Sequence, residues 1–319
     1  MAALSLKPVD VIEILSLQDN YIEMTATDNS AVVTRAIPLK DGCFRLSVLA
    51  EHGFAAVVKT GVNGKTHTLL FDFGFSEGGA AYNAKILGVD LGAVEAVALS
   101  HGHNDHTGGF DQLAALLGRR EIPFFVHPQV FRKPRYLKIP VRDMKIHFSP
   151  LTREQIAATG LKLIETSEPV TFLDDTVLFL GEVPHRTDFE KGFPIARYQE
   201  DGQEKWDPIE DDTSVVMHLK DKGLVVLSGC AHAGIVNTVN YAREITGVDK
   251  VHAVMGGFHL SGIYFEGIID RTVEEMKKID PDYVIPCHCT GRNAIMAFER
   301  AMPEKFILNM AGTKLTFGA

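Results

Sequence analysis

The first half of the chain is built from apolar runs of three to nine residues broken by glycines and charged turns. Alternation from Val9 to Leu17 predicts a strand that ends at Asp19-Asn20. Phe44 to Leu49, Ala55 to Lys59 and Thr66 to Asp72 read as three more strands. They are separated by Glu51-His52-Gly53 and by Asn63-Gly64, a dipeptide that favours a two-residue hairpin turn. Ala80 to Leu87 and Phe110 to Leu117 have helical spacing and stop at Gly88 and Gly118. The unbroken apolar runs Val94 to Leu99 and Pro123 to Val126 predict buried strands. Asp28 to Ile37, polar with β-branched residues, fits no element pattern.

The second half repeats the plan. Val177 to Leu180, Ser214 to Leu219, Leu224 to Leu227, Val251 to Met255 and Tyr283 to Ile285 read as strands. Ile235 to Ile245 and Glu266 to Lys278 are amphipathic helices, and Asn293 to Arg300 is a further helix. Strands alternating with helices in two halves predict an α/β fold with two sheets face to face and helices outside. Pro184 to Pro208 is rich in acidic residues, prolines and glycines and carries the only tryptophan, Trp206. It reads as an insertion loop within one domain spanning residues 1–319.

This plan does not account for the turn after Leu99, Ser100-His101-Gly102-His103-Asn104-Asp105-His106-Thr107-Gly108-Gly109, with three imidazoles and a carboxylate in six residues. If strand geometry continues into the turn, His101 and His103 point the same way, while Asp105 and His106 face a second point nearby. Two pairs of metal-type ligands at one strand end suit two adjacent cations.

His-x-His-x-Asp-His after a hydrophobic strand resembles the signature of the metallo-β-lactamase-fold superfamily. Leu69-Leu70-Phe71-Asp72-Phe73-Gly74 is similar to its first motif, with Phe73 where threonine is usual. One branch is closer, that of proteins like 7,8-dihydropterin-6-methyl-4-(β-D-ribofuranosyl)aminobenzene-5′-phosphate synthase. Its pattern is similar to Glu51-His52-Gly53-Phe54, Asp211-Asp212, the run from Gly229 to Asn237, Gly256-Gly257-Phe258-His259-Leu260 and Pro286-Cys287-His288-Cys289-Thr290-Gly291. The resemblance implies a four-layer αββα sandwich. It also places Cys230 where most members of the superfamily carry a bridging aspartate.

The remaining ligands must come from a distance. His288, after a short buried strand and between two thiols, is the candidate to join Asp105 and His106. His232, on the Gly-Cys-Ala-His-Ala-Gly turn, is the candidate to join His101 and His103. His185 competes with it, because it follows the strand where the superfamily's third-motif histidine usually lies. Cys230 reads equally as a thiolate ligand or as a small buried residue under its turn. Asp72 is expected to orient a ligand imidazole rather than to bind metal itself. His52 and His259, each beside glycines, are candidates to touch substrate or to protonate a leaving group, or else are hydrogen-bonded turn residues. His67, His127, His147, His218 and His252 read as structural, and Asp211 and Asp212 as turn caps or substrate contacts. Five imidazoles and one carboxylate favour two Zn²⁺ per chain, with Mn or Fe next.

Composition narrows the setting. A net charge of -9 argues against nucleic acid as a partner. Lys133, Arg135, Lys138, Arg142 and Lys145 read as a solvated loop face. No run approaches the roughly 18 apolar residues of a membrane span. The start, Met1 to Lys7, has no basic region leading into an apolar core, so no secretory signal is expected. Four cysteines, two as Cys287-His288-Cys289, suit a reduced, cytoplasmic setting. The expectation is a metal-dependent hydrolase using a metal-bound hydroxide on a small ester, lactone, amide or phosphoester. The branch resemblance implies an alternative, a transferase condensing a dihydropterin with ribofuranosylaminobenzene phosphate, and an iron-dependent redox enzyme is a third. The partner is a small molecule, and homo-oligomers are compatible with the chain.

Overall fold

Asn63 and Gly64 both adopt left-handed backbone, φ 51° and 79°, and fold Ala55–Val62 back on Lys65–Phe71 as the predicted hairpin. This geometry comes from a computed structural model, which describes residues 4–44, 46–118, 121–140 and 144–318; Met1 to Ala3 and Arg142 lie outside them.

Around the hairpin grows an eight-stranded sheet, ordered Lys162–Glu165, Pro123–Val126, Ala96–Ala98, Lys65–Phe71, Ala55–Val62, Val11–Gln18, Lys314–Gly318 and Val33–Thr34. Strand alternation divides its side chains between two cores. Ala56 and Val58 join the layer between the sheets, while Ala55 and Val57 join the layer under helices α1 (Gly79–Ile86), α2 (Asn104–Thr107), α3 (Phe110–Leu117) and α4 (Arg153–Thr159). Phe73, the departure from the superfamily motif, is fully buried in that outer layer against Phe110 and Phe124.

The second sheet has six strands, ordered Val170–Phe172, Val177–Phe179, Ser214–Leu219, Gly223–Ser228, Val251–Gly257 and Tyr283–Cys287. Helices α5 (Ile235–Thr246), α6 (Ile269–Ile279) and α7 (Arg292–Ala301) cover its outer face, and Met217, Leu227 and Ile285 meet Ile12, Phe71 and Phe125 between the sheets. Helix, sheet, sheet, helix is the four-layer order expected. The last three strands run parallel, with α5 and α6 as crossovers, so the turns at their C-terminal ends open on one edge. No helix among the described residues is long and apolar enough to cross a membrane.

Three expectations need correction. The strand expected from Phe44 to Leu49 is not found among the described residues of that stretch beyond Phe44. Asp41-Gly42 turns the chain (φ 54° and 75°) and pairs Leu39–Lys40 with Cys43–Phe44, and Leu46 and Leu49 stay exposed beyond it. The segment 184–208 is not a plain loop. Asp201-Gly202 makes a further left-handed turn (φ 51° and 75°) that pairs Ala196–Glu200 with Gln203–Trp206. This hairpin joins Arg135–Ile139 and Met144–His147 in a separate four-stranded sheet. Of the basic residues read as a loop face, Arg135 and Lys138 lie on the first of these two strands and Lys145 on the second, and Arg135 is buried because Asp207 and Asp211 surround its guanidinium. The unplaced segment Asp28 to Ile37 supplies the edge strand Val33–Thr34.

Glu190, from the start of the same segment, is buried at the first turn of α5. Its carboxylate accepts the backbone N–H groups of Val236 and Asn237, both at 2.9 Å. Burial outweighs these bonds and raises its pKa from 4.5 to about 7. The unfolded chain ionises this group first, so stability should fall as pH rises through that window and level off above it. The full loss is about 3 kcal/mol. Glu190→Gln is expected to flatten this slope in urea denaturation between about pH 5 and pH 8. An unchanged slope would remove Glu190 as its source.

Candidate metal centre

The turn after Ala96–Ala98 passes through His101 and enters α2 at His103, so the rings of both residues and of His106 fall on one side of the turn. The His101 and His103 ring centroids are 4.5 Å apart. The turn after Gly223–Ser228 brings His232 to them, its Nε2 3.2 Å from His101 Nε2. Asp105, His106, Cys230 and His288 make a second group. His106 Nε2 lies 3.2 Å from His288 Nε2 and 3.1 Å from Cys230 Sγ, and Asp105 Oδ2 lies 3.2 Å from His288 Nε2. Within each group the potential ligand atoms lie within 4.8 Å of one another. The groups abut, with the His101 and His106 centroids 4.3 Å apart.

The chemistry of these donors fits metal ions. Burial holds the rings of His101 and His232 well below the usual imidazole range, and that of His103 down to about 4. All three are neutral at pH 7, as ligands must be. His106 is the reverse: burial opposes its charge, but the Asp105 and Asp72 carboxylates overcome it and raise its pKa to about 9. That pocket attracts positive charge, which a bound cation supplies in place of the proton.

Carboxylates behind the ligands fix each turn. Asp72, fully buried, sits 2.6 Å from His106 Nδ1 and accepts the Ser100 N–H and hydroxyl, both at 2.7 Å. A Cβ at Gly229 would overlap the Ser100 hydroxyl, so this turn approaches as closely as it does only with glycine there. Asp72→Asn is expected to lower metal affinity about 10–100-fold. Competition with a chromophoric chelator measures this, and unchanged affinity would rule out the orienting role. Asp211 accepts the Gly102 N–H at 2.8 Å, and Asp212 the Ala233 N–H at 3.0 Å. The adjacent aspartates thus brace the two turns that carry His101 and His232, and neither lines the cavities described below. Asp19 accepts the His288 N–H at 2.9 Å and the Asn309 side-chain amide at 2.7 Å. The N-terminal strand therefore positions a histidine 269 residues away.

Other singled-out residues fall beside or away from these groups. His52 is half-exposed, with Nε2 3.4 Å from Asp105 Oδ2; that carboxylate raises its pKa. His259 packs against His232 with centroids 4.1 Å apart, and its Nδ1 is buried without a hydrogen-bond partner among the described residues. His185 joins neither group; its Nδ1 faces the Glu190 carbonyl at 3.4 Å. Of the histidines read as structural, His67 and His252 prove to be paired, with Glu95 at 3.1 Å and Asp282 at 2.7 Å. Arg135 was missed as part of the site's support. It binds Asp211, the carboxylate that holds Gly102, and a cation 76 residues from its partner leaves no local mark.

His103 and His232 of the first group and Asp105, Cys230 and His288 of the second line the floor of a cavity of about 840 Å³, walled by Phe148, Phe193, Tyr264 and Phe265. Phe148 stacks on His103 with centroids 4.1 Å apart. A smaller cavity of about 430 Å³, lined by Lys191 and Trp206, adjoins it across His232, His259 and Tyr264.

The sequence model of the metallo-beta-lactamase superfamily matches residues 51–288, which takes in every residue of both groups. The chain belongs to the metallo-beta-lactamase superfamily. Like other members of the superfamily it is an enzyme fold that binds metal. Within the superfamily it is 31% identical over 271 residues to the 7,8-dihydropterin-6-methyl-4-(beta-D-ribofuranosyl)-aminobenzene-5'-phosphate synthase of Methanocaldococcus jannaschii, covering 84% of this chain and 90% of that protein. The fold is similar to a crystal structure titled a metal-dependent hydrolase of the beta-lactamase superfamily, with TM-score 0.71, 24% identity and coverage of 97% and 100% of the two chains. A metallo-beta-lactamase fold protein of Bacillus subtilis superposes with TM-score 0.52, 12% identity and coverage of 97% and 100%.

Proposed function

We propose that this superfamily member is a metal-dependent hydrolase with a dinuclear centre, acting on a small ester, lactone, amide or phosphoester. His101, His103 and His232 would hold one cation, and Asp105, His106 and His288, with Cys230, the other. The observation that carries the reading is that the two donor groups abut at the floor of one cavity. The donor set favours Zn²⁺, then Mn or Fe. Bound there, the cation pair supplies a nucleophile at neutral pH and polarises the substrate's oxygen.

The chain's own residues do the rest. Asp72 fixes the His106 ring, and Phe148, Phe193 and Phe265 keep water from the cavity wall. His52 Nε2, at the rim and in contact with Asp105, is placed to hand a proton to a leaving group. Four free thiols support a reducing, cytoplasmic setting.

A second reading has its own support. Similarity to the pterin-related synthase, together with the aromatic cavity walls, favours a transferase in which the nitrogen of an arylamine nucleoside phosphate displaces a leaving group from a dihydropterin, losing its proton.

The test is elemental analysis of protein purified without an affinity tag or added metal, followed by turnover before and after chelation. About two Zn or Mn per chain and chelator-sensitive hydrolysis support the first reading. Turnover only with dihydropterin plus ribofuranosylaminobenzene phosphate establishes the second, and iron with oxygen consumption replaces both. Hydrolysis that survives complete chelation overturns the metal-dependent reading.

A further inference from the structure

We propose that Cys230, His259 and Cys289 form a third cation site, soft and thiolate-rich, beside the two groups already described. Their ligand atoms lie within 4.8 Å of one another. Two sulfurs on one tetrahedral Zn²⁺ sit about 3.8 Å apart, given a Zn–S bond of about 2.3 Å, so small side-chain shifts close the site. Two thiols and an imidazole select Zn²⁺ or Cd²⁺ over Mg²⁺ or Mn²⁺.

The backbone is shaped to bring these three side chains together. They come from the turns after three adjacent parallel strands, Gly223–Ser228, Val251–Gly257 and Tyr283–Cys287. Each turn carries a non-glycine residue in the left-handed region: Ala231 (φ 49°), His259 (φ 45°) and His288 (φ 50°). Such conformations cost energy and cluster where side chains must be aimed. A Cβ on Gly257 would lie 2.5 Å from Cys289 Sγ, so the missing side chain there is the room the thiol occupies. His259 Nδ1 is buried with no partner among the described residues, a polar atom that an ion would satisfy.

All three residues also line the large cavity. Three protein ligands would leave a tetrahedral ion one position for an outside ligand, and because all three line the cavity a thiol or carboxylate of a small molecule there would supply it. Cys230 is shared with the Asp105–His106–His288 group, so its thiolate would bridge the two ions when both bind. His259 and Cys289 belong to this site alone, and the total of three ions expected below rests on the dinuclear reading.

Cobalt(II) titration with zinc counting tests the proposal, because thiolate ligation gives Co²⁺ a charge-transfer band that imidazole and carboxylate do not. The wild-type chain is expected to bind about three Zn²⁺ at saturation, and Cys289→Ser one fewer, with the thiolate band reduced by about half. Cys289→Ala, checked by circular dichroism, guards against a folding artefact and should match it. His103→Ala should leave the thiolate band intact. If Cys289→Ser and Cys289→Ala keep the wild-type ion count and band, the third site does not exist. Failure of the dinuclear reading shows up separately, as His103→Ala losing no ion.

Discussion

His103→Ala is expected to keep the chain folded while losing one metal ion and nearly all turnover. The residue stands at the N-terminus of α2, but its side chain makes no capping bond. Its structural contribution is the stack on Phe148 and its burial, so truncation should cost about 1–2 kcal/mol of stability, as for an ordinary buried substitution. Its chemical contribution is larger, because His101 and His232 alone leave the cation with two protein ligands. Loss of an outer partner of a metal ligand already costs about 10–100-fold, and loss of the ligand itself should exceed that. Elemental analysis, thermal melting and turnover together check this. Full metal content with full turnover would overturn the assignment.

Arg135→Met is expected to give the largest loss of stability. The guanidinium is buried, with Nε 2.5 Å from Asp207 and its two terminal nitrogens 2.9 and 2.5 Å from the two Asp211 oxygens. Removing it strands the buried Asp211 carboxylate and leaves Asp207 only Arg132 as a cationic partner, at 3.2 Å, and breaking a buried pair in this way typically costs about 3–5 kcal/mol. Lysine should not rescue the loss, because a point charge cannot grip two carboxylates as a planar fork does. Asp211 also holds the Gly102 N–H, so the turn carrying His101 and His103 should loosen too, and metal affinity should fall with stability. Urea denaturation measures the first effect. A loss below about 1 kcal/mol would mean the network contributes no more than surface ion pairs do. Adding Asp211→Asn should restore part of the loss, since one stranded charge is then gone.

The contrast between these residues shows what the sequence makes legible. His101 to His106 are contiguous and chemically unlike their surroundings, so the cluster stands out without knowledge of the fold. His232 and His288 sit just past apolar strands, and strand ends are readable. Arg135 is different. Its setting among four other basic residues looks solvated, and only tertiary folding brings Asp207 and Asp211 to it. Asp19 is hidden for the same reason, its partner lying at the far end of the chain. The hairpin in 184–208 carried a local signal that composition obscured: Asp201-Gly202 is the same kind of turn as Asn63-Gly64, set in a stretch too polar to suggest strands. At Phe44 to Leu49 apolar alternation misled, because Phe44, Leu46 and Leu49 face solvent and only Val48 of its apolar residues is buried.

The small four-stranded sheet has an evolutionary consequence. The metal-type ligands ride on turns of the two large sheets, whereas Ile146 and Leu137 on the cavity wall belong to the small one, and Phe148 and Phe193 flank its strands. The ligand-bearing turns and much of the cavity wall thus belong to different sheets, linked through Arg135 and its two aspartates, the Phe148–His103 stack and the Asn104–Ser149 hydrogen bonds. Sequence change confined to the small sheet can therefore reshape the cavity wall without touching any of the metal-type ligand side chains.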